Sequence, residues 1–389
     1  MPIKTESKKI GELCEVTSSK RIFASEYVKT GIPFYRGKEI IEKQKGNLQI
    51  STELFISEAK YQEIKNKYGA PKPGELLLTS VGTLGVPYVI KEGEKFYFKD
   101  GNLLWLKNFN GLDSKYLYYW FLSNKGKEQL KKSTIGSSQS AFTISLVKEI
   151  ELELPSPNIQ KQIASILSAF DNLIENNTRR IEILEEMARR IYREWFVHFR
   201  YPGHEHNRMV DSELGEIPEG WEVMKLGEVI ELKYGKSLKK SDRIEGPYPV
   251  YGSSGIVGWH NNYYKEGPGI IVGRKGNVGS VFWEFDNFFP IDTSYFVETA
   301  LPLTYAYYNL KHQNFINNDA AVPGLSKKQA DLLPILIPED EILNNFDDYI
   351  LPLFEQIKNY EKSNNFLKEQ RDLLLPKLIS GGLILQTRS

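Results

Sequence analysis

Residues 270–282 read IIVGRKGNVGSVF, in which a basic turn with glycines at 273, 276 and 279 separates two apolar runs. Lysine, arginine and glycine in one turn suit phosphate groups, which belong either to a nucleotide cofactor or to a nucleic acid. The glycine spacing matches neither the dinucleotide-binding turn G-x-G-x-x-G nor the phosphate-binding loop G-x-x-x-x-G-K-[ST]. Residues 283–289, WEFDNFF, predict another strand, so no helix begins there to hold a pyrophosphate. The stretch therefore predicts a loop between two strands and argues against a nucleotide cofactor.

The composition limits the class of protein. With 389 residues, the chain is long enough for two or three domains. Its 50 basic and 50 acidic residues balance, so any nucleic-acid surface must be local. A single cysteine, Cys14, excludes an internal disulfide and a cysteine-based zinc site, and it suits a cytoplasmic location. No stretch approaches the roughly 18 apolar residues of a membrane span, and no signal peptide begins the chain, so we expect no membrane association.

The sequence contains one internal repeat. Three pairs of segments correspond in the same order: KKIGELCEV (8–16) with MKLGEVIEL (224–232), LLLTSVGTLGVPYVI (76–90) with IIVGRKGNVGSVFWE (270–284), and FTISLVKEIELELPSP (142–157) with PGLSKKQADLLPILIP (323–338). Between them KDGNLLWL (99–106) parallels PIDTSYFV (290–297), and we expect Asp100 to match Asp292. Each copy thus joins a β-rich part of variable length to a helical part of constant length. The repeat suits two modules that recognise different targets, but a structural duplication explains it equally well.

Each copy ends in a long amphipathic helix. Between residues 159 and 196 apolar residues recur at alternating steps of three and four, as in a coiled-coil seam. About 38 residues give a rod of about 57 Å. The second copy keeps the seam, but Pro352 predicts a kink or a restart, and LISGG (378–382) predicts a glycine cap. A thin β-rich part cannot bury such a stripe, so we expect the two helices to pack against each other in antiparallel orientation.

These observations predict an α/β (α+β) fold with a pseudo-twofold internal repeat. Two β-rich domains are expected to be separated by a pair of long antiparallel coiled-coil-like helices. The expected segments are the first β-rich domain at 1–156, the first long helix at 157–200, a linker with the second β-rich domain at 201–337, and the second long helix at 338–389.

Five further segments carry a family resemblance. They are IPFYRGKEI (32–40), LGEIPEGWEVMKLGEV (214–229), PVYGSSGIVGWHNNY (249–263), FFPIDTSYFV (288–297) and RDLLLPKLISGG (371–382). In this order, and with the helices, they resemble the specificity (S) subunits of Type I restriction–modification enzymes. The resemblance implies that each β-rich domain is a target recognition domain, which reads one half of a bipartite double-stranded DNA sequence.

The same resemblance implies partners for the chain. The helices would set the separation of the half-sites and bind two modification (methyltransferase) subunits. Those subunits would bind S-adenosylmethionine and methylate adenine, and restriction or translocase subunits would join in some complexes. The chain itself would then be a non-catalytic, cytoplasmic specificity subunit that holds no cofactor and no metal.

Basic and small polar residues in the predicted turns are the candidate DNA contacts. In the first domain these are Lys20, Arg21, Arg36, Lys38, Thr79, Ser80, Thr83, Ser137, Ser138 and Gln139. In the second domain they are Lys236, Ser237, Lys239, Lys240, Tyr251, Ser253, Ser254, Arg274, Lys275 and Asn277. Arginine suits guanine and asparagine suits adenine, so we expect Arg274 and Asn277 to reach base edges. Ser80 and Val81 replace Arg274 and Lys275 in the first domain, which predicts a different half-site, while a solvated turn remains the alternative for any one loop.

The resemblance also nominates residues of the helical stripes for partner binding: Ile163, Phe170, Leu184, Ile191, Leu367 and Leu374. Packing of the helices explains the same stripes without any partner.

Other functions find less support in the sequence. His198, His204 and His206 fit an exposed linker better than a metal site, because neither cysteine nor a fixed helical pair accompanies them. The chain has no Pro-Asp dipeptide, no Asn-Pro-Pro-Tyr-like methyltransferase motif and no nucleotide-binding P-loop. The alternatives are a stand-alone DNA methyltransferase or nuclease with unrecognised motifs, and a duplicated carbohydrate- or protein-binding module.

Overall fold

The computed structural model describes residues 5–47, 50–132, 141–315 and 324–382. The chain divides into two compact units: Met1–Arg179 with Glu361–Ser389, and Arg180–Tyr360. Both units combine strands and helices, which confirms the fold class predicted from the sequence. Within the described ranges, no helix is both long enough and apolar enough to span a membrane.

The first unit contains ten short strands and six short helices among its described residues. The strands are β1 (Thr5–Lys9), β2 (Glu15–Thr17), β3 (Tyr27–Val28), β4 (Ile32–Tyr35), β5 (Phe55–Ile56), β6 (Leu76–Thr79), β7 (Pro87–Val89), β8 (Tyr97–Phe98), β9 (Leu103–Lys107) and β10 (Glu151–Pro155). The helices are α1 (Ile10–Leu13), α2 (Gly37–Gln44), α3 (Glu58–Tyr68), α4 (Ser114–Leu122), α5 (Asn124–Lys132) and α6 (Ile144–Lys148). Its largest sheet has the strand order β2-β9-β6-β7, and β1 pairs with β10. A smaller sheet has the order β3-β5-β4-β8.

The chain then continues into the first long helix, α7 (Pro157–Phe196), and the strands of the second unit. These strands are β11 (Met209–Ser212), β12 (Gly215–Pro218), β13 (Glu222–Lys225), β14 (Ile230–Tyr234), β15 (Tyr248–Gly252), β16 (Gly255–His260), β17 (Gly269–Gly273), β18 (Val281–Glu284), β19 (Phe289–Pro290), β20 (Ser294–Thr299) and β21 (Pro334–Ile337). The helices are α8 (Leu226–Val229), α9 (Leu303–His312), α10 (Lys327–Asp331) and the second long helix, α11 (Asp340–Ile379). Short 3-10 turns lie at Ala24–Glu26, His204–His206 and Lys240–Asp242.

The same sheet occurs in both units. In the second unit the order β14-β20-β17-β18 repeats the order β2-β9-β6-β7 of the first, with antiparallel pairing throughout. The inner strands β6 and β17 are buried along their whole length, which explains their continuous apolar sequences, LLLT and GIIVG. The pairs β1–β10 and β13–β21 are equivalent too. The structure therefore confirms the internal repeat.

Strand pairing corrects one detail of the sequence comparison. Leu103 pairs with Thr79 at the end of β6, and Ser294 pairs with Gly273 at the end of β17. Counting back from these two pairs places Gly101, and not Asp100, at the position of Asp292. The sequence comparison had aligned the two aspartates because they are identical, but the sheet register shifts the match by one residue.

The two long helices each contain 40 residues. At 1.5 Å per residue, each is about 60 Å long. In the first unit, Arg371 bonds to Asp171 at 2.6 Å and Asn364 bonds to Thr178 at 3.4 Å. Residue numbers along α11 therefore fall as those along α7 rise, so the pair is antiparallel as predicted.

The helix pair also closes the core of each unit. In the first unit, Ile163 and Leu167 of α7 are buried beside Leu375 and Leu378 of α11, in one cluster with residues of the large sheet. In the second unit the corresponding cluster contains aromatic side chains from both helices: Tyr192, Trp195, Phe196, Phe346 and Phe354. Each compact unit therefore includes part of both helices, because these parts bury their apolar faces on the adjoining β-rich domain. The expectation that a thin β-rich part could not bury the helical stripe was wrong.

Helix α11 does not restart at Pro352, contrary to one of the two outcomes predicted from the sequence. Ile350 and Phe354 are buried on either side of the proline, so tertiary packing keeps the helix continuous. At the end of α11, Gly381 has a φ of 73°, and Gly382 N–H donates to the Lys377 carbonyl at 2.9 Å. This arrangement confirms the predicted glycine cap.

Candidate nucleic-acid interface

The loop between β17 and β18 is a tight turn that depends on glycine. Gly276 and Gly279 have φ values of 87° and 74°, in the left-handed region that favours glycine. The Gly279 N–H donates to the Gly273 carbonyl at 2.9 Å. A Cβ atom on Gly279 would lie only 2.7 Å from the Cβ of Phe315, so no larger residue fits there without a rearrangement.

The loop between β6 and β7 has the same geometry. Gly82 and Gly85 have φ values of 76° and 74°, and Gly85 N–H donates to the Thr79 carbonyl at 2.9 Å. A Cβ atom on Gly85 would lie 2.9 Å from the Cδ1 of Leu130. The two loops are thus copies of one turn.

Ser80 fastens the first of these loops to the domain. Its N–H donates to the Asn102 carbonyl at 2.9 Å, and its carbonyl accepts from Phe142 N–H at 3.1 Å. Its hydroxyl donates to the Gly101 carbonyl at 3.1 Å. With 1% exposure, Ser80 is an internal anchor and does not present its side chain to a ligand.

Arg274 makes the equivalent three bonds in the second loop. Its N–H donates to the Thr293 carbonyl at 3.0 Å, its carbonyl accepts from Leu325 N–H at 2.7 Å, and its Nη1 donates to the Asp292 carbonyl at 2.8 Å. The same backbone frame therefore supports both loops. The guanidinium of Arg274, which was expected to reach a base, uses its Nη1 for one of these three bonds.

Two tyrosines support the Arg274 side chain. The guanidinium lies 4.9 Å from the ring centre of Tyr234 and 5.8 Å from that of Tyr295. Burial, followed by the neighbouring Tyr234, raises the pKa of Tyr295 to about 12. Its hydroxyl therefore stays protonated at neutral pH and donates to the Leu325 carbonyl at 3.0 Å. Arg274 is held against a fixed aromatic surface.

In the second domain the predicted loops lie side by side. Asn277 Nδ2 donates to Ser254 Oγ at 3.1 Å, which joins the β17–β18 loop to the β15–β16 turn. Lys236 lies two residues after Tyr234, and its N–H donates to the Pro290 carbonyl at 2.9 Å. Seven predicted residues of this domain are exposed: Lys236, Ser237, Lys239, Lys240, Ser254, Lys275 and Asn277.

Two predicted residues of the second domain are buried. Tyr251 is 5% exposed and its hydroxyl donates to Glu284 at 2.8 Å, while Ser253 is 9% exposed. Both face inward because β15 is covered by the large sheet, with Tyr251 packed against Phe288. They support the surface and do not form it.

In the first domain the predicted residues divide in the same way. Lys20, Lys38 and Thr83 are exposed, whereas Thr79 is fully buried and its hydroxyl donates to the Thr83 carbonyl at 2.6 Å. Gly37 brings the α2 segment close to Thr79, because a Cβ added there would lie 3.9 Å from Thr79 Cγ2. Gly101 donates its N–H to Ser18 Oγ at 3.4 Å and accepts from the Ser80 hydroxyl at 3.1 Å, so the loops at 18–21, 36–38 and 79–83 belong to one region.

The two predicted arginines of this domain are already paired. Arg21 Nε donates to Asp100 at 2.8 Å, and Arg36 Nη2 donates to Glu39 at 2.9 Å. The Arg21 side chain is 67% exposed and can exchange partners, but Arg36 is held by a carboxylate that is only 1% exposed. Ser137, Ser138 and Gln139 lie outside the described residues.

Four of the six predicted partner-binding residues face the chain's own cores. Ile163 is 1% exposed, Leu374 packs against the same core, and Leu184 and Ile191 pack against the core of the second unit. Phe170 and Leu367 are half-buried. Other apolar side chains of α7 and α11 are exposed instead: Leu173, Ile183, Met187, Tyr349, Leu351, Phe366 and Leu373. Part of the seam predicted from periodicity is therefore intramolecular, but Leu173, Met187 and Tyr349, which the same periodicity includes, are exposed.

Sequence reasoning missed Tyr234, and it noted Val81 opposite Lys275 without naming it as a candidate contact. Val81 is 45% exposed at the tip of the first loop, at the position of Lys275 in the second. Tyr234 supports Arg274 from the end of β14. Among the described residues, no group of three or more histidine, cysteine or acidic side chains could hold a metal.

Comparisons with known proteins place the chain in a family. The Type I restriction modification DNA specificity domain matches twice, at residues 2–186 and 218–368. The MjaIX specificity subunit of a type I restriction enzyme from Methanocaldococcus jannaschii is 30% identical over 98% of this chain and 94% of its own length.

A second relative and one crystal structure agree with that match. The putative specificity subunit S.HindORF215P of Haemophilus influenzae is 30% identical over 49% of this chain and 47% of its own length. In fold, the chain resembles the S subunit of a type I restriction–modification system from M. genitalium, with a TM-score of 0.59, 20% identity and coverage of 97% and 96% of the two chains. With two matched domains along most of its length, the chain belongs to the specificity subunits of type I restriction–modification systems.

Proposed function

We propose that this chain selects the DNA sequence on which a type I restriction–modification complex acts, and that it performs no catalytic step itself. In this proposal each recognition domain binds one half of a bipartite double-stranded target. The long helices set the number of base pairs between the halves and bind two methyltransferase subunits, which bind S-adenosylmethionine. Restriction subunits join the complex where they are present. Such a complex acts on cytoplasmic DNA.

One observation supports this proposal most directly. The same turn occurs in both domains and is held by the same three hydrogen bonds, but the exposed residues at its tip differ between the domains. Ser80 and Arg274 make the same three bonds, yet the residues that follow them, Val81 and Lys275, differ in charge and polarity. Two copies of one catalytic site would need the same side chains. Two readers of unlike half-sites need a common frame with different side chains, because base edges are distinguished by side-chain chemistry.

The exposed charges support DNA as the ligand. Lys236, Lys239, Lys240 and Lys275 lie on exposed loops of the second domain, beside the exposed polar groups of Ser254 and Asn277. Lysine neutralises phosphate oxygens and releases counterions, while small polar side chains let the DNA approach closely. Because the overall charge is neutral, DNA binding depends on local basic surfaces of this kind.

The test is a methylation map. The methyltransferase subunits are expressed with and without this chain, and methylated adenines are located across a whole genome. Methylation at one split, asymmetric sequence is expected only when the chain is present. Methylation of the same sites without the chain would contradict the proposal. Tight binding of S-adenosylmethionine by the isolated chain would instead favour a stand-alone enzyme.

A further inference from the structure

The side chains of the two equivalent loops fall into two groups. Ser80 and Arg274 bond to carbonyls of the neighbouring segment, and their main chains are fastened on both sides. The residues after them are directed outward. Val81, Thr83, Lys275 and Asn277 are all exposed, two in each loop at matching positions.

An exposed valine at a loop tip is not explained by folding. The backbone of Val81 forms a bridge with Ala141, and the backbone of Lys275 forms the same bridge with Gly324. The frame is therefore maintained with either side chain, and 45% of Val81 is left in water. The backbone bridge forms with either side chain, so folding does not select between valine and lysine at this position. The difference between them can therefore be explained by recognition of different bases.

The chemistry of the four side chains matches different bases. In the major groove, thymine presents a methyl group that apolar side chains contact, whereas purines present N7 and, in guanine, O6 as acceptors. Asparagine pairs with adenine through one N–H and its oxygen. One N–H of Asn277 is used by Ser254, which orients the amide and leaves its second N–H and its oxygen for a base.

We propose that residues 81 and 83 are the specificity-determining residues of the first loop, and residues 275 and 277 those of the second. Val81 and Thr83 select thymine through its methyl group, Lys275 selects guanine and Asn277 selects adenine. Ser80 and Arg274 are positioning residues, which hold the loop and do not read a base. This inference rests on the proposed function, because it assigns bases to domains that are proposed to read DNA.

Exchange of the tips tests the assignment. The complex of the full-length chain with its methyltransferase subunits is made with the variant V81K/T83N, which gives the first loop the tip of the second. Neither position has a positive φ, so the exchange causes no backbone strain. Selection from a random duplex library should show a purine in place of thymine at the base pairs that this loop reads. The thymine preference should fall by about fivefold to a hundredfold.

The second half-site and the gap between the halves should stay unchanged. Val28→Lys is the matched control, since Val28 is an exposed valine on β3 of the same domain, outside the large sheet. This control should keep the wild-type target. The milder Val81→Ala should keep binding but accept other bases in place of thymine.

Arg274→Ser separates positioning from reading. Serine is the residue that makes the equivalent bonds at position 80. The variant should bind all sequences more weakly, by a similar factor, and should keep its base preference. Relaxed preference at a single guanine would assign base reading to Arg274 and overturn this part of the inference.

Two further outcomes are decisive in different ways. An unchanged thymine preference in V81K/T83N, with normal methylation, would overturn the assignment of the tips while the proposed function stands. Loss of all DNA binding in Val81→Ala would give the tip a structural role and also overturn the assignment. A wild-type complex without any sequence preference would refute the proposed function itself.

Discussion

Glu39 lies beneath the surface of the first domain with 1% of its side chain exposed. Its carboxylate accepts hydrogen bonds from the backbone N–H and from the guanidinium of Arg36, at 2.8 and 2.9 Å. Burial alone would raise the pKa of Glu39, but these bonds outweigh it and lower the pKa below the ordinary value of 4.5. A lowered pKa in the folded state means that the ionised form stabilises the fold above pH 4.5. This contribution is lost as the pH falls through the lowered pKa.

Glu39→Gln should therefore destabilise the protein in a pH-dependent way. At pH 7 the variant places an amide N–H₂ or a neutral oxygen against Arg36, and we expect a loss of about 1–3 kcal/mol in the free energy of unfolding. The difference from the wild type should shrink below pH 4.5, where Glu39 begins to bind a proton in the unfolded state and later in the folded state. Urea unfolding at pH 7 and near pH 3.5 measures both values. Glu63→Gln, at an exposed position of α3, should change little, and an equal loss at both pH values would contradict the role of the ionised carboxylate.

At the scale of elements, one polar cluster joins the long helices of the first unit to α4. Arg371 Nη1 donates to Asp171 at 2.6 Å, and the Tyr119 hydroxyl donates to the other oxygen of Asp171 at 2.5 Å. Burial, followed by the charge of Asp171, raises the pKa of Tyr119, so this hydroxyl keeps its proton at neutral pH. The cluster fixes α7, α11 and α4 against one another within that unit.

Arg371→Leu should leave Asp171 half-buried without its cation. We expect a loss of about 1–3 kcal/mol in the free energy of unfolding. The loss should fall at the lower end of this range, because the two side chains are 23% and 28% exposed to solvent. Adding Asp171→Asn removes the unpaired charge but keeps an acceptor for Tyr119, so the double variant should recover part of the loss. Denaturant unfolding of both single variants and of the double variant measures the coupling. Additive losses would show that the pair contributes no coupling energy.

The exposed apolar side chains of the helices carry a prediction about assembly. Phe366 and Leu373 of α11 are both 60% exposed and lie seven residues apart, on one helix face. We expect the double variant Phe366→Glu with Leu373→Glu to preserve folding and DNA binding. Capture of the methyltransferase subunits should weaken by at least tenfold, because the complex would bury two glutamates without partners at this interface. Copurification measures this capture. Leu332→Glu, at a position 65% exposed beyond α10, is the control. Equal capture by both variants would exclude this face.

At the scale of the whole molecule, the junction between the first domain and α7 suits exchange. Gln160 is fully buried, and its side chain bonds to Asp113 N–H at 2.8 Å and to the carbonyls of Gly111 and Pro155 at 3.0 and 2.9 Å. All three partners are backbone groups, so the contact does not depend on the sequence of the domain. Replacing residues 1–156 by the first recognition domain of a relative should therefore change one half-site only. A methylation map checks this, and a change in both halves would contradict modular reading.

The second prediction at this scale is that the length of the long helices determines the gap between the half-sites. Insertion of one heptad into each long helix, after Arg179 and after Tyr360, adds about 10.5 Å to each rod and nearly preserves its seam. With about 3.4 Å per base pair, the gap between the half-sites should grow by about three base pairs. Neither half-site should change in the methylation map. An unchanged gap would refute the proposal that the helices set the spacing.

Local patterns were sufficient to predict much of this fold. The repeat, the two long helices, the glycine-dependent turns and the glycine cap of α11 were all predicted, because periodicity, glycine spacing and self-similarity are properties of neighbouring residues. Exposure at single positions was less predictable. Ser80 and Thr83 are both small and polar, yet only one is exposed, since Ser80 bonds to Gly101 across the sheet.

What the sequence by itself determined is therefore the plan of the molecule: two copies of a β-rich domain, each followed by a helix with one apolar face. Only the tertiary structure decided which residues that plan leaves at the surface. Tyr251 faces inward, Val81 is exposed at a loop tip, and only part of the helical seam packs into the chain's own cores. The physical reason is that burial depends on contacts between segments far apart in the chain, and the strength of a local pattern does not reveal which distant segment will cover it.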